Sequence, residues 1–90
     1  MIKKYLDVSL SHLTMETVKG LTDDKSPYSF RYDEGVFVTV PEDDDREWYQ
    51  KLPKDLRILL RYCWTNDIQL IRLDKNAEKI QSLPTYIWQG

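Results

Sequence analysis

Apolar and polar residues alternate in several stretches of this 90-residue chain, a pattern typical of half-buried strands. The first stretch is "YLDVSL" at residues 5–10. The segments "YSFRY" and "VFVTV" (residues 28–40) flank a short loop and predict a hairpin, in which Gly35 takes the left-handed conformation of a tight turn. The alternation predicts another strand at residues 68–74 and a short last one at residues 78–82.

Helical spacing of apolar residues marks two further regions. Thr14 is a good N-cap for a short first helix, because its hydroxyl can accept a hydrogen bond from a first-turn amide. From Asp43 the pattern becomes helical again, restarts at Pro53 in a first-turn position, and closes at Asn66-Asp67. One face of this second region is apolar and comprises Leu52, Leu56, Leu59, Leu60 and Cys63.

The predicted order of elements is β-α-β-β-α-β-β, which indicates one α+β domain over residues 1–90. The first six elements match the split βαβ pattern of ferredoxin-like folds. We therefore expect an antiparallel sheet with both helices on one face.

Composition places the protein among soluble globular domains, with 41% hydrophobic and 31% charged residues. No stretch reaches the roughly 18 apolar residues of a membrane span, and the start "MIKKYLDVSL" has no signal-peptide hydrophobic region. Cys63 is the only cysteine, so we expect a reduced core thiol in a cytoplasmic protein.

Charge is distributed unevenly along the chain. Residues 1–45 carry five basic and ten acidic side chains, a net −5, and residues 46–90 carry eight basic and five acidic ones, a net +3. A bipolar surface favours a partner of complementary charge, which includes a second copy of this chain. The alternative is that the charges of both halves are simply solvated and recognise no partner.

Few residues offer catalytic or metal-binding chemistry. The chain has one histidine, His12, and one cysteine, Cys63, so a small enzyme using His12 is a minor alternative. The favoured role for His12 is structural, at the junction between a strand and a helix, with Ser11 and Thr14 satisfying turn amides. One histidine and one cysteine do not make a zinc site, and no glycine-rich phosphate loop occurs, so we expect no metal and no cofactor.

Two surfaces are candidates for binding. The first joins an acidic cluster to aromatic residues, which are enriched at interface hot spots, and consists of Asp43, Asp44, Asp45, Glu47, Trp48 and Tyr49. The second is a basic helix face that could contact nucleic acid phosphates and consists of Lys51, Lys54, Arg57 and Arg61 with Tyr62 at its border. The pI of about 5.3 argues against nucleic acid. The pattern leaves open whether Trp48, Tyr62 and Trp88 belong to the core or to an interface.

Short motifs at both ends of the chain carry a family resemblance. The stretches "LSHLT", "YSFRYDEGVFVTVPED" and "LPTYIW" together resemble a small bacterial family of accessory proteins carried by prophages and plasmids. Ser9, His12 and Thr14 match its Ser-x-x-His-x-Thr junction, and Tyr86 and Trp88 match its Leu-Pro-Thr-Tyr-x-Trp end. The resemblance implies an accessory protein that counters or modulates a host system, and it implies no catalytic residues.

These observations favour a non-enzymatic protein–protein interaction module. We expect its acidic surface to engage a protein with a basic surface, such as a host defence component, in the manner of an anti-CRISPR-type inhibitor. Nucleic-acid binding through the basic helix face is the alternative.

Overall fold

The strands form where the sequence alternates, because each strand can then bury one row of side chains against the helices. The computed structural model describes residues 4–22, 27–41 and 46–86. Within them, the strands and α-helices in chain order are β1 (Lys4–Ser9), α1 (Met15–Gly20), β2 (Ser29–Tyr32), β3 (Gly35–Thr39), α2 (Arg46–Gln50), α3 (Lys54–Thr65) and β4 (Ile68–Asp74). A single 3₁₀ turn, Leu10–His12, links β1 to α1.

The four strands form one mixed sheet in the order β1-β4-β3-β2. β2 pairs antiparallel with β3, which confirms the hairpin, and β3 pairs antiparallel with β4. β1, however, pairs parallel with β4. The expected single α+β domain with a sheet and helices is found, but its sheet is not wholly antiparallel.

The ferredoxin-like topology is not confirmed. In a split βαβ unit, one strand lies between the two parallel strands that the helix connects. Here β1 and β2, which α1 connects, are separated by both β4 and β3, and β3 pairs antiparallel with β4. The prediction of a strand at residues 78–82 is also wrong, because this segment consists of turns and irregular chain. Its backbone makes isolated bonds and no ladder: the amide of Ser9 donates to the carbonyl of Glu78 at 2.9 Å, and the amide of Leu83 donates to the carbonyl of Ile80 at 3.1 Å.

Gly35 is needed for a reason other than the predicted one. Its φ is not positive, and it is the first residue of β3 and not part of the turn. A Cβ built at this position would overlap the carbonyl oxygen of Leu73 on β4. Glycine therefore permits the close approach of two central strands.

The starts of α1 and α3 follow local rules. The Thr14 hydroxyl accepts a hydrogen bond from the amide of Thr17 at 3.2 Å, which confirms the predicted N-cap. Pro53 occupies the N-cap of α3, one residue before the first turn that the sequence predicts for it. At the other end Asn66 is the C-cap and Asp67 takes a left-handed φ of 56°, as a helix stop requires.

The core lies between one face of the sheet and the helices. The apolar face of α3 is buried as predicted, and strand residues from β1, β3 and β4 meet it. The buried hydrophobic residues are Val8, Leu13, Leu21, Val36, Val38, Val40, Leu56, Leu59, Leu60, Cys63, Ile68, Ile71, Leu73 and Leu83. Within the described ranges, no helix has the length and apolar character needed to cross a bilayer.

Candidate interaction surface

The sheet face that points away from the core carries exposed aromatic residues. The register places Phe30, Phe37, Arg72 and Asp7 in one row across all four strands. Tyr5 lies two residues before Asp7 on β1 and therefore points to the same side. We call this surface the open sheet face and define it by Tyr5, Asp7, Tyr28, Phe30, Tyr32, Phe37, Thr39, Leu70, Arg72 and Asp74.

Three large hydrophobic side chains on this face are left in solvent. Tyr5 is 62% exposed, Phe30 is 54% exposed and Tyr28 is 48% exposed. Among the described residues these are the large hydrophobic side chains that stand exposed, and all three share one side of the sheet. A single exposed apolar residue needs no explanation, but a concentration on one face is typical of a binding surface.

Arg72 is the centre of a polar network on the open sheet face. It donates to the Asp74 carboxylate at 3.0 Å and, through Nε, to the Tyr32 hydroxyl oxygen at 3.1 Å. The Asp7 carboxylate lies farther away, at 3.7 Å. The guanidinium also lies 5.6 Å from the centre of the Tyr32 ring, within cation–π range. Arg72 is therefore held in place from three sides.

The same network sets the protonation of its members. The Tyr32 hydroxyl donates to Asp74 at 2.7 Å, and this bond, with the backbone amide of Asn76, holds the pKa of the Asp74 carboxyl below its usual range. Hydrogen bonds to Tyr32 and Asp74 raise the pKa of Arg72 further above its ordinary value. Burial is the main cause that raises the pKa of Tyr32. These shifts favour the charged forms of Arg72 and Asp74.

Tyr32 and Phe37 pack together on the same face of the sheet as the exposed rings. Their ring centres are 5.1 Å apart and the planes are tilted by 39°, a favourable aromatic geometry. The pair joins the edge strand β2 to the central strand β3, while the exposed rings lie on or beside the edge strands β1 and β2.

A second group of polar residues is buried on the opposite side, between α1 and α3. Asp55, only 6% exposed, accepts from the Thr14 amide and from the Thr17 hydroxyl, each at 2.8 Å. The Thr14 hydroxyl in turn donates to the Thr17 hydroxyl oxygen at 2.9 Å. These bonds fix the start of α1 against the first turn of α3.

His12 is equally buried and ties the C-terminal segment to the 3₁₀ turn. Its Nε2 accepts from the amide of Ile80 at 2.9 Å, and its Nδ1 lies 2.9 Å from the carbonyl oxygen of Pro84. Because Nε2 accepts, Nδ1 must carry the proton and donate to Pro84. Both ring nitrogens are therefore engaged by backbone groups, and we call His12, Thr14, Thr17 and Asp55 together the polar junction.

Comparison with known proteins assigns the chain to a family. Residues 5–88 match the model described as Family of unknown function (DUF5983) C-terminal domain. The chain belongs to this family. The matched range includes the polar junction and every residue of the open sheet face. No curated protein and no solved structure matches the chain.

In this DUF5983 domain the predicted acidic surface is only partly described. Asp43, Asp44 and Asp45 lie outside the described residues, as do Trp88 and the side chain of Trp48. Glu47 is exposed. Tyr49 packs inward instead: its hydroxyl donates to the Arg57 carbonyl at 3.0 Å, and its ring centre lies 5.5 Å from that of Trp64.

The residues of the predicted basic face differ in their exposure to solvent. Lys51, Lys54 and Arg61 are exposed, whereas Arg57 is half-buried. Tyr62 packs against the core as a partly buried residue. The exposed cations lie on the helical side of the domain and not on the open sheet face.

The remaining junction and thiol residues are shielded. Ser9 is 5% exposed and its hydroxyl is 2.8 Å from that of Ser11, which is an internal contact of the β1–α1 link. The Tyr86 amide donates to the Ser11 carbonyl at 2.8 Å. Cys63 is fully buried, and burial raises the pKa of its thiol to about 12, so it is a poor nucleophile at neutral pH.

A cavity of about 500 Å³ opens between α1 and the β2–β3 turn. Its two cations already have partners. Arg31 donates to the Val18 carbonyl at 2.9 Å, and the Lys75 ammonium lies 3.2 Å from the Glu34 carboxylate. In the described part of the chain, no group of three or more histidine, cysteine or acidic residues could hold a metal ion.

Sequence reasoning missed the open sheet face as a surface. The available signal was the aromatic run Tyr28, Phe30 and Tyr32, which falls on one side of a strand. The valines at positions 36, 38 and 40 identify the buried side of the hairpin. The aromatic side is then the one directed away from the core, but only the strand order shows that Tyr5 and Arg72 lie on that side too.

Proposed function

We propose that the protein is a non-enzymatic module that binds another protein through the open sheet face. The observation that carries this proposal is the concentration of Tyr5, Tyr28 and Phe30, all largely exposed, on one side of the sheet. Aromatic residues and arginine are enriched at protein interfaces because they combine a large contact area with few rotatable bonds. The Tyr32–Phe37 pair and the hydrogen bonds of Arg72 on the same face are formed without a partner, which lowers the entropy lost on binding.

Charge favours a protein over a nucleic acid at this surface. Sheets that bind single strands combine stacking aromatics with cations for the phosphates. Here the cation, Arg72, has Asp74 at 3.0 Å and Asp7 at 3.7 Å, so its charge is already matched by carboxylates. Binding of nucleic acid through Lys54 and Arg61 remains the second candidate, supported by their exposure on α3.

The contacts of His12 support a binding role over an enzymatic one. A general base must reach a substrate proton, and this ring is 2% exposed with both nitrogens bonded to backbone groups. The resemblance to accessory proteins of mobile elements supports a host defence component as the partner. Asp43, Asp44 and Asp45 remain part of the proposal as a second, acidic contact region.

Site-specific photo-cross-linking in a bacterial lysate tests the proposed surface. A photoreactive phenylalanine analogue replaces Phe30 in one protein and the exposed Arg61 on α3 in a matched control. We expect a discrete protein adduct from position 30 and none from position 61. The double variant Tyr5→Ser/Tyr28→Ser, made in the position-30 protein, should abolish the adduct while circular dichroism shows an intact fold.

Two results would reverse this ranking. An adduct from position 61 without one from position 30 would move the interface to the helical side. Retention of duplex or single-stranded DNA in a gel shift, weakening steeply with added salt, would favour the nucleic-acid candidate, because phosphate contacts release counterions. The test of the acidic region is the triple variant Asp43→Asn/Asp44→Asn/Asp45→Asn, which keeps helix capping and should slow association.

A further inference from the structure

We propose that the open sheet face receives a basic segment of the partner, with one arginine or lysine seated between the Tyr5 ring and the Asp7 carboxylate. This inference rests on the proposed function and adds the chemistry of the partner. Tyr5 and Asp7 are next-but-one neighbours on β1, so their side chains stand about 7 Å apart on the same side. That spacing lets one cation contact both groups.

Asp7 is the accessible negative charge of the row. The Asp74 side chain is 6% exposed and already accepts from Tyr32, Arg72 and the Asn76 amide. The Asp7 side chain is 45% exposed, and its oxygen is 3.7 Å from Arg72, longer than a hydrogen bond. A partner cation can therefore approach Asp7 while Arg72 keeps Asp74 and Tyr32 as partners.

The Tyr5 ring is the second group that contacts the partner's cation. At 62% exposure its ring face is open to a cation, and an arginine guanidinium stacks on such a ring through both charge and dispersion. An anionic segment would meet Asp7 with no uncompensated cation in the row. Charge complementarity thus selects a basic partner.

The width of the sheet predicts where a second side chain of the partner segment would bind. β1 and β2 are separated by three strand spacings, about 14 Å. An extended segment covers that distance in about four residues. A cation over Tyr5 and Asp7 would therefore be followed, four positions along, by an apolar side chain over Phe30.

The test is an NMR titration of the full chain with three synthetic peptides. The first is acetyl-Gly-Arg-Gly-Gly-Gly-Phe-Gly-amide, the second has Glu in place of Arg, and the third has Ala in place of Phe. We expect the Arg-Phe peptide to shift amide resonances of β1 and β2 and to bind at least tenfold more tightly than the Glu peptide. The Ala peptide should lie between them.

Variants of Asp7 and Tyr5 test where the arginine of the peptide binds. Asp7→Asn should weaken the Arg-Phe peptide about threefold to tenfold, because a charge-assisted contact becomes a neutral one. Tyr5→Ser should weaken it comparably. The effect of Asp7→Asn should shrink with added salt, whereas that of Tyr5→Ser should not. Glu16→Gln, an exposed acidic residue on α1, is the matched control and should leave binding unchanged.

The inference is overturned if the Glu peptide binds as well as the Arg-Phe peptide, or if no peptide shifts the open sheet face at millimolar concentration. It is also overturned if Asp7→Asn has no effect. Failure of the proposed function gives a different result, since the position-30 cross-link would then be absent. A retained cross-link with no charge preference would reject only the basic partner.

Discussion

The polar junction and the open sheet face both contain a carboxylate close to polar partners, Asp55 and Asp7, but the exposure of these two carboxylates differs. Asp55 and His12 are buried, and their partners are hydroxyl and backbone groups that must be satisfied for the chain to fold. Asp7 and Arg72 lie half-exposed among aromatic rings that solvent reaches. Similar side chains therefore serve folding on one side of the domain and are available for binding on the other.

The clearest way to break this contrast is to place a charge on each side of one strand. Val38 on β3 is fully buried and its neighbour Thr39 points to the open sheet face. Val38→Asp should unfold the domain, because an unpaired buried carboxylate costs several kcal/mol out of about 5–15 kcal/mol of total stability. Thr39→Asp should stay folded, as circular dichroism can show. Equal damage from both would mean that the second face is buried as well.

Asp55→Ala should have the next largest effect. It leaves the Thr14 amide and the Thr17 hydroxyl without their acceptor, at about 1–3 kcal/mol for each buried group. Urea denaturation should therefore show a loss of about 2–6 kcal/mol. Asp55→Asn retains one acceptor oxygen and should lose less. A neutral result for Asp55→Ala would mean that water replaces the carboxylate.

His12→Ala should cost less, since its two bonds hold one peripheral segment. Loss of the ring removes partners from the Ile80 amide and the Pro84 carbonyl, so we expect about 1–3 kcal/mol in urea denaturation. Hydrogen exchange should increase first at residues 78–86. Binding at the open sheet face should survive. A variant that melts like the parent but binds no partner would give His12 a direct contact role.

The sequence predicted what depends on local pattern. The hairpin, the Thr14 cap, the apolar face of α3 and β4 follow from spacings within a few residues. The parallel pairing of β1 with β4 could not be predicted from local spacing. The paired residues are more than sixty positions apart in the chain, and packing brings them together. The role of Gly35 failed for the same reason: its constraint comes from Leu73, not from its own turn.

The candidate site was harder to predict than the fold. Charge runs drew attention to residues 43–49 and to the basic face of α3. Tyr5, Phe30 and Arg72 come from three different strands, and only the sheet order brings them to one surface. Tyr49 shows the converse, since a candidate contact residue turned out to pack on Trp64.

Acid should affect the network around Arg72. The pKa of Asp74 is below its ordinary value in the folded protein, so folding favours the charged carboxylate. Its stabilising effect is complete above the pKa of the unfolded chain and is lost as the pH falls through the folded pKa. An NMR titration of the Asp74 carboxyl carbon should show this low pKa. Tyr32→Phe removes the largest cause and should move the pKa back toward its ordinary value.

The smallest effect on stability should come from Phe30→Thr. The Phe30 ring is 54% exposed and its cross-strand neighbour is Phe37, so the loss should stay below about 1 kcal/mol. Threonine keeps the β propensity of the site. Phe37→Ala, in the same pair but packed on Tyr32, should cost more.

That small cost is the decisive part of the comparison, because a residue that contributes little to folding has no structural reason to be a large exposed ring. We expect Phe30→Thr to weaken binding of the Arg-Phe peptide to about the level of the Ala peptide in the NMR titration, while urea denaturation changes little. Asp55→Ala, under conditions where it stays folded, should show the reverse. If Phe30→Thr instead destabilises the domain as much as Asp55→Ala, the ring belongs to the core, and the distinction between the two regions fails.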